Sequence, residues 1–386
     1  MPAGVRSLLR AALAIFVVTI VIGILNGLDV WEVPRNTLLT HVHAGTLGWI
    51  TLSVFAAAIW MLAEPGAKTG TMANFSIAAL ALYILAFWSV ELTDTVSIQR
   101  PIGGTLALVA IVWVFVWAVR SRRGKGYDVA QLGIVLALGF LLIGAVLGVL
   151  LGLQLSEVEI VAQENTERLA GGHPGAMVIG FVVLAAVAMI EWLIQDRAPS
   201  MSSARWGVAQ MVLLFVAGLA GGLGFLMDNE DLLTLGVPLQ VVATVILLVR
   251  HRSRLRPAEW GPGAVPKFVR TAVLGLVAVV IFIAYVVSQF VAGADFNEFV
   301  NVLVAMDHAN FLLVMTSLIF AMLSRGSDVT DRTAMMVYLG LVVGTVGFVF
   351  GLVLEAAVLK RIFTPILGLA LLYGIFTYLR APERTT

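Results

Sequence analysis

No cysteine occurs among the 386 residues, and only 12% of them are Asp, Glu, Lys or Arg. The first absence excludes disulfides, thiolate-held zinc, iron–sulfur clusters and thioether-attached haem. The second excludes an ordinary soluble domain, of which about a quarter is charged. Histidine is scarce as well, at five residues, so imidazole chemistry rests on a small set. The net charge of +1 says nothing about partners, because the informative quantity here is charge per loop. No nucleic-acid partner is expected.

What the chain has in abundance is apolar sequence. Hydrophobic residues make up 60% of it, in recurring runs of about 20 residues, the length that spans a bilayer as helix. The expectation is an all-α integral membrane protein, one membrane domain over 1–386, embedded in the lipid bilayer. Twelve transmembrane helices are expected near 8–28, 38–63, 72–92, 102–120, 128–154, 172–194, 205–227, 233–250, 269–291, 299–323, 333–356 and 362–380. The first run, after Arg6 and Arg10, reads as a span and not a signal peptide, since no small-residue cleavage pattern follows.

The loops sort by charge. Arg120, Arg122, Arg123 and Lys125, then Arg197 and Arg205, then the Arg250–Lys267 segment, then Arg325 and Arg332 make one set basic. Glu157, Glu159, Glu164 and Glu167, then Asp228, Glu230 and Asp231, then Asp295 and Glu298 make the alternate set acidic. Positive loops stay cytoplasmic, which puts both termini inside, in a bacterial cytoplasmic (inner) membrane. The segment "RHRSRLRPAEWGPGAVPK", which contains His251, reads as a solvated basic loop and not as a nucleotide or lipid site.

A repeat shows in the histidine spacing. His43 and His173 are 130 residues apart and His173 and His308 are 135 apart, each close to a third of the chain. Each lies in the second helix of a four-helix set, towards its acidic end, with His308 somewhat deeper. Prolines recur in the fourth helices at Pro101, Pro238 and Pro365, and acids follow the third helices at Glu91 and Glu355. The expected architecture is therefore three pseudo-threefold four-helix arcs, with repeats near 1–125, 126–255 and 256–386.

An ionisable side chain inside a span marks a candidate functional site. In "LTHVHAGTLGW" at 39–49, His41 and His43 are two residues apart, about 200° around a helix. They cannot converge on one metal; each needs its own partner. A haem iron on either side supplies two, since haem iron takes axial imidazole and each ligand's second ring nitrogen needs an acceptor. Ala44, Gly45 and Gly48 are expected to let a flat macrocycle approach. For His308 alone, a hydrogen bond to a neighbouring helix explains it equally well.

"HVHAGTLGW" resembles the HVHxGxLGW segment on the tenth helix of C-type heme-copper oxidases. The resemblance implies that the first histidine meets a high-spin haem and the second a low-spin haem. That superfamily's catalytic subunit also has twelve helices in three arcs, with ligand histidines on helices 2, 6 and 10; "GGHPGAMVIGF" around His173 is similar to its helix-6 and helix-2 patterns. The departures are large. The His-x-His falls on helix 2, as though the arcs were rotated by one third. Helix 7 lacks the adjacent histidines of the copper centre, and the tyrosine beside that copper has no counterpart. No standard copper centre is expected. The NnrS family, twelve-helix haem proteins linked to nitric oxide tolerance, is similar in helix count without a shared motif.

Rotating the family's scheme implies one or two haems b, with His41, His43, His173 and His308 as candidate axial ligands of iron. His43 pairs with His173 at a low-spin haem; His41 binds a second, with His308 facing it as ligand, as distal group or as part of a small metal site. Left unrotated, the scheme pairs His43 with His308 and leaves His173 facing His41. The candidate gas site is His41 with His308. Haem propionates imply arginine or lysine near the acidic side: Arg100 under the rotation, Lys360 and Arg361 without it, and Arg35 more weakly. For each of these cations a snorkelling headgroup contact is the plainer explanation. Glu91 and Glu355 read as interfacial acids, with a proton relay as the alternative. Trp31, Trp49 and Trp88 suit an interfacial belt and haem packing equally. "GLAGGLGF" lies within a span with no strand before it, which excludes a dinucleotide loop.

The functional expectation is a haem-b protein related to heme-copper oxidases, acting in electron transfer or in binding or reducing nitric oxide or oxygen. Its electron donor is unknown. The alternatives are a non-catalytic haem sensor or assembly protein and a twelve-helix secondary transporter; same-orientation repeats argue against the inverted repeats common in the last.

Overall fold

The computed structural model describes residues 4–89, 98–156, 165–194, 201–256 and 263–384, together with Pro2 and Ala162. Long apolar runs have one way to satisfy their backbone in lipid, the helix, and among the described residues twelve helices are long and apolar enough to cross a membrane. They are α1 (Val5–Gly27), α2 (Arg35–Leu62), α3 (Gly70–Ser89), α4 (Gln99–Ser121), α5 (Val129–Leu155) and α6 (Thr166–Ile194). After them come α7 (Met201–Met227), α8 (Glu230–His251), α9 (Ala264–Val291), α10 (Phe296–Gly326), α11 (Asp331–Val353) and α12 (Ala357–Arg380). Among the described residues there is no strand, only a lone bridge between Ser327 and Glu383.

Polar residues fix several helix starts, and those of α8, α10 and α11 lie before the expected 233, 299 and 333. Asp128 and Gln131 form a capping box at α5, and the side chains of Asn229, Asp295 and Thr330 accept backbone N–H groups at α8, α10 and α11. Each satisfies an otherwise orphaned donor of the first turn. The start of α6 lies at Thr166, not 172, because its first turns ("TERLAGG") are helical but polar. Pro238 and Pro365 sit inside α8 and α12, whereas Pro101 is in the first turn of α4.

The helices α2, α6 and α10 are the most buried, and they touch one another. The other nine surround them, with α4 against α5, α8 against α9, and α12 back against α1. At the end where the loops are basic, the contact is tight: Leu52–Ile59, Val183–Glu191 and Val314–Leu323 are buried without a break. Towards the acidic loops the three separate. Arg35–His43 packs on α1 and α3, Thr166–Pro174 on α5 and α7, and Phe296–His308 on α9 and α11. Leu38 and Val42 consequently remain 42% and 43% exposed on the innermost helix of the protein.

Each inner helix switches to π-helical winding where tight packing begins, at Ala44–Thr51, Gly175–Val182 and Ala309–Thr316. The switch follows His43 and His308 directly and His173 after Pro174. The middle one is pressed against α7 through glycine: a Cβ on Gly218 would lie 2.8 Å from the Gly180 Cα and 2.8 Å from Phe140. Backbone cannot yield as a side-chain tip does, so Gly218→Ala is expected to cost about 1–3 kcal/mol. Reversible unfolding in detergent measures this; an unchanged transition would mean that α6 and α7 are free to part.

Candidate functional site

Four imidazoles lie within the separated region, each only partly buried. Every one donates from Nδ1 to a backbone carbonyl. His43 binds Leu39 O at 2.8 Å and His308 binds Val304 O at 2.8 Å, one turn back on their own helices. His41 reaches Thr19 O on α1 at 2.9 Å, and His173 reaches Gly144 O on α5 at 2.8 Å. This is the second-nitrogen arrangement expected of a metal-ligating histidine, which fixes the tautomer and the ring direction. It leaves Nε2 unprotonated, and among the described residues no protein group bonds to it.

The charge of His308 reaches His41, and that of His173 reaches His43. Since Arg35–His43 is regular α-helix, the open face at Leu38 and Val42 is flanked by His41 on one side and His43 on the other. Glycine gives two of the rings their seats: a Cβ on Gly148 would come 2.8 Å from His173, and one on Gly23 would come 3.1 Å from His41.

The surroundings of His43 are the most elaborate. Its ring stacks on Phe87 at 4.0 Å, with Tyr83 edge-on at 5.8 Å. Arg100 lies over the same Phe87 at 4.9 Å and donates to Asn36 Oδ1 at 2.7 Å. Its Nε is buried with no partner, and its charge is felt at His43. A cation with a buried unsatisfied donor, beside the imidazole, fits an anionic group. Arg361 instead pairs with Asp29 at 3.2 Å, with both side chains well exposed. Lys360 packs beside Gly351 at the start of α12, and Arg35 is exposed.

Several sequence expectations need correction. Gly45 and Gly48 face α1: a Cβ there would meet Thr19 at 3.3 Å and Ile15 at 2.2 Å. They serve helix contact, not approach of a macrocycle. Trp49 is 1% exposed and belongs to no interfacial belt. It stacks on Phe16 at 4.4 Å and donates to Thr316 Oγ1 at 2.9 Å, joining α1, α2 and α10. Trp31 and Trp88 are exposed, as a belt requires. Glu355 is exposed and accepts from Asn301 Nδ2 at 3.2 Å; Glu91 lies outside the described residues.

His251 is not in a solvated loop. It ends α8, buried, with Nε2 3.1 Å from Glu191 Oε2. The Glu191 carboxylate also accepts from both guanidinium nitrogens of Arg250, and Arg250 Nη1 donates to Gln210 Oε1 at 2.9 Å. The signal that could have found this cluster was Glu191 itself, a carboxylate within the apolar run "AVAMIEWLI". Asp307 was overlooked on the same ground; its Oδ1 is buried without a partner beside His308.

Among the described residues no three His, Asp or Glu side chains converge as ligands of a bare metal ion. No protein-family model matches the chain, and no curated protein matches it.

Proposed function

We propose that the protein binds haem b in the bacterial inner membrane and acts on electrons or on a diatomic gas. His43 and His173 hold one haem between them. His41 holds a second, faced by His308. One observation carries this: four imidazoles, each with Nδ1 committed to a carbonyl and Nε2 left for iron, with the charge of His308 reaching His41 and that of His173 reaching His43. Bare-metal binding is disfavoured, because each pair is two ligands short of a tetrahedral site. A haem brings four equatorial nitrogens of its own, so two imidazoles suffice. A bis-imidazole haem passes electrons, and a haem with a weak or open sixth position takes nitric oxide or oxygen.

The chain's own residues do the holding and orienting. Phe87 braces the His43 ring, and the carbonyls of Thr19, Leu39, Gly144 and Val304 fix all four rings. Arg100 neutralises a propionate on the His43 side. The inner trio α2, α6 and α10, each with a histidine before a π segment, supports the reading of three four-helix arcs. The positive-inside pattern supports cytoplasmic termini, with the histidines towards the outer surface. The His43–His173 neighbourhood favours the rotated pairing over the unrotated one.

The test is a reduced-minus-oxidised optical spectrum of protein expressed with ample haem, with haem counted per chain and carbon monoxide then added. Two haems b per chain, with part of the signal moved by carbon monoxide, are expected. A haem-free protein would overturn the proposal.

A further inference from the structure

The α7–α8 seam carries polar side chains that nothing among the described residues satisfies. Gln240 is 1% exposed, and neither its Oε1 nor its Nε2 has a partner. One turn on, Thr244 Oγ1 is buried and unpartnered. Gln210, on α7, spends its Oε1 on Arg250, and its Nε2 is buried without an acceptor. Gln240 and Thr244 share one side of α8. Gly236 faces α7, where a Cβ would meet Ala217 O at 3.2 Å. Gln240, Thr244, Leu247 and His251 follow within the same sector at helical spacing. The opposite side of α8 presents Val241, Val242, Val245 and Val249, all exposed.

A buried polar atom with no partner costs about 1–3 kcal/mol, and more so where hydrocarbon is the only alternative solvent. Four such atoms in one seam are not left bare; ordered water is the usual solution, each molecule needing 2–4 polar partners. Neighbouring turns are about 5.4 Å apart, which one bridging water spans. The lower end of the stripe meets the Glu191–Arg250–His251 cluster, whose carboxylate and imidazole offer further partners. That cluster lies at the basic end, where Arg254 also donates to Ile194 O.

We infer that the α7–α8 seam holds a column of buried water running from Gln240 to Glu191, an aqueous half-channel entered from the basic side. From Gln240 to His251 is about 16 Å of helix, roughly half the thickness of a bilayer's hydrocarbon. The column stands apart from the histidine site: Glu191 and His173 lie at opposite ends of α6.

The lack of cysteine makes a direct test available. In Thr244→Cys and Gln240→Cys the introduced thiol is the only S–H oscillator in the protein, and infrared spectroscopy after transfer to D2O reads its exchange to S–D. Ala185→Cys, in the tightly packed part of α6, is the dry reference. Exchange at 244 and 240 at least tenfold faster than at 185 is expected. Equal rates at 244 and 185 would overturn the column. A second measurement on the unsubstituted protein avoids any folding defect: H2(18)O-sensitive O–H bands of bound water should be present and should be lost in Thr244→Val. Their absence from the parent would overturn it equally.

Discussion

Alanine at His43 and alanine at His173 are expected to abolish the same spectral component, although the two residues are 130 positions apart. Haem content falls by about half in each, and the component that responds to carbon monoxide stays. His41→Ala and His308→Ala spare the low-spin component and alter the other. His41 and His43 leave one helix in nearly opposite directions, and the charge of a different distant imidazole acts on each. Either substitution would leave one histidine to hold that haem, too little to retain it, so imidazole supplied together with haem should restore part of the His43→Ala and His173→Ala spectra. Loss of the low-spin component in His308→Ala with retention in His173→Ala would reverse the pairing. Four spectra indistinguishable from the parent would remove histidine ligation altogether.

Arg250→Leu is expected to destabilise the protein by about 3–5 kcal/mol, the cost of leaving one member of a buried pair uncompensated. Glu191 is 0% exposed, and Arg250 is almost as deeply buried, so solvent provides little relief. His251 remains 3.1 Å from the carboxylate. Replacing both Glu191 and Arg250 by leucine removes both charges and should recover most of the loss, since apolar substitutes for a whole buried pair are often neutral. Denaturant unfolding in mixed micelles reads all three proteins; a loss below about 1 kcal/mol in Arg250→Leu would mean the pair is hydrated and weak.

The twelve spans were legible because lipid leaves an apolar run no other form; polar first turns were missed, as at Thr166, and some ends were misplaced, as at Val353, where 356 was expected. The prominence of the second, sixth and tenth helices was legible from three histidine positions. The opposed directions of His41 and His43 were legible from spacing alone, because that stretch is ordinary α-helix. What tertiary packing decides was not. The acceptors of His41 and His173 sit on other helices, and nothing at Thr19 or Gly144 announces them. Gly45 and Gly48 are small for the sake of α1, which no local pattern can tell from room for a cofactor. His251 looked like one more charge in a basic run because its partner, Glu191, lies 60 residues earlier on another helix.

The three π segments have a consequence for how the inner helices tolerate change in length. A π turn amounts to one residue inserted into an α-helix. Everything before it is rotated by about 100° relative to what an unbroken α-helix would give. Deleting a single residue between Ala44 and Thr51 would let α2 relax to regular α winding without altering its tightly packed half. His41 and His43 would then swing a quarter turn or more away from His308 and His173. The insertion thus sets the phase of the histidines against the partners proposed for them, and a deletion there is expected to disturb both at once.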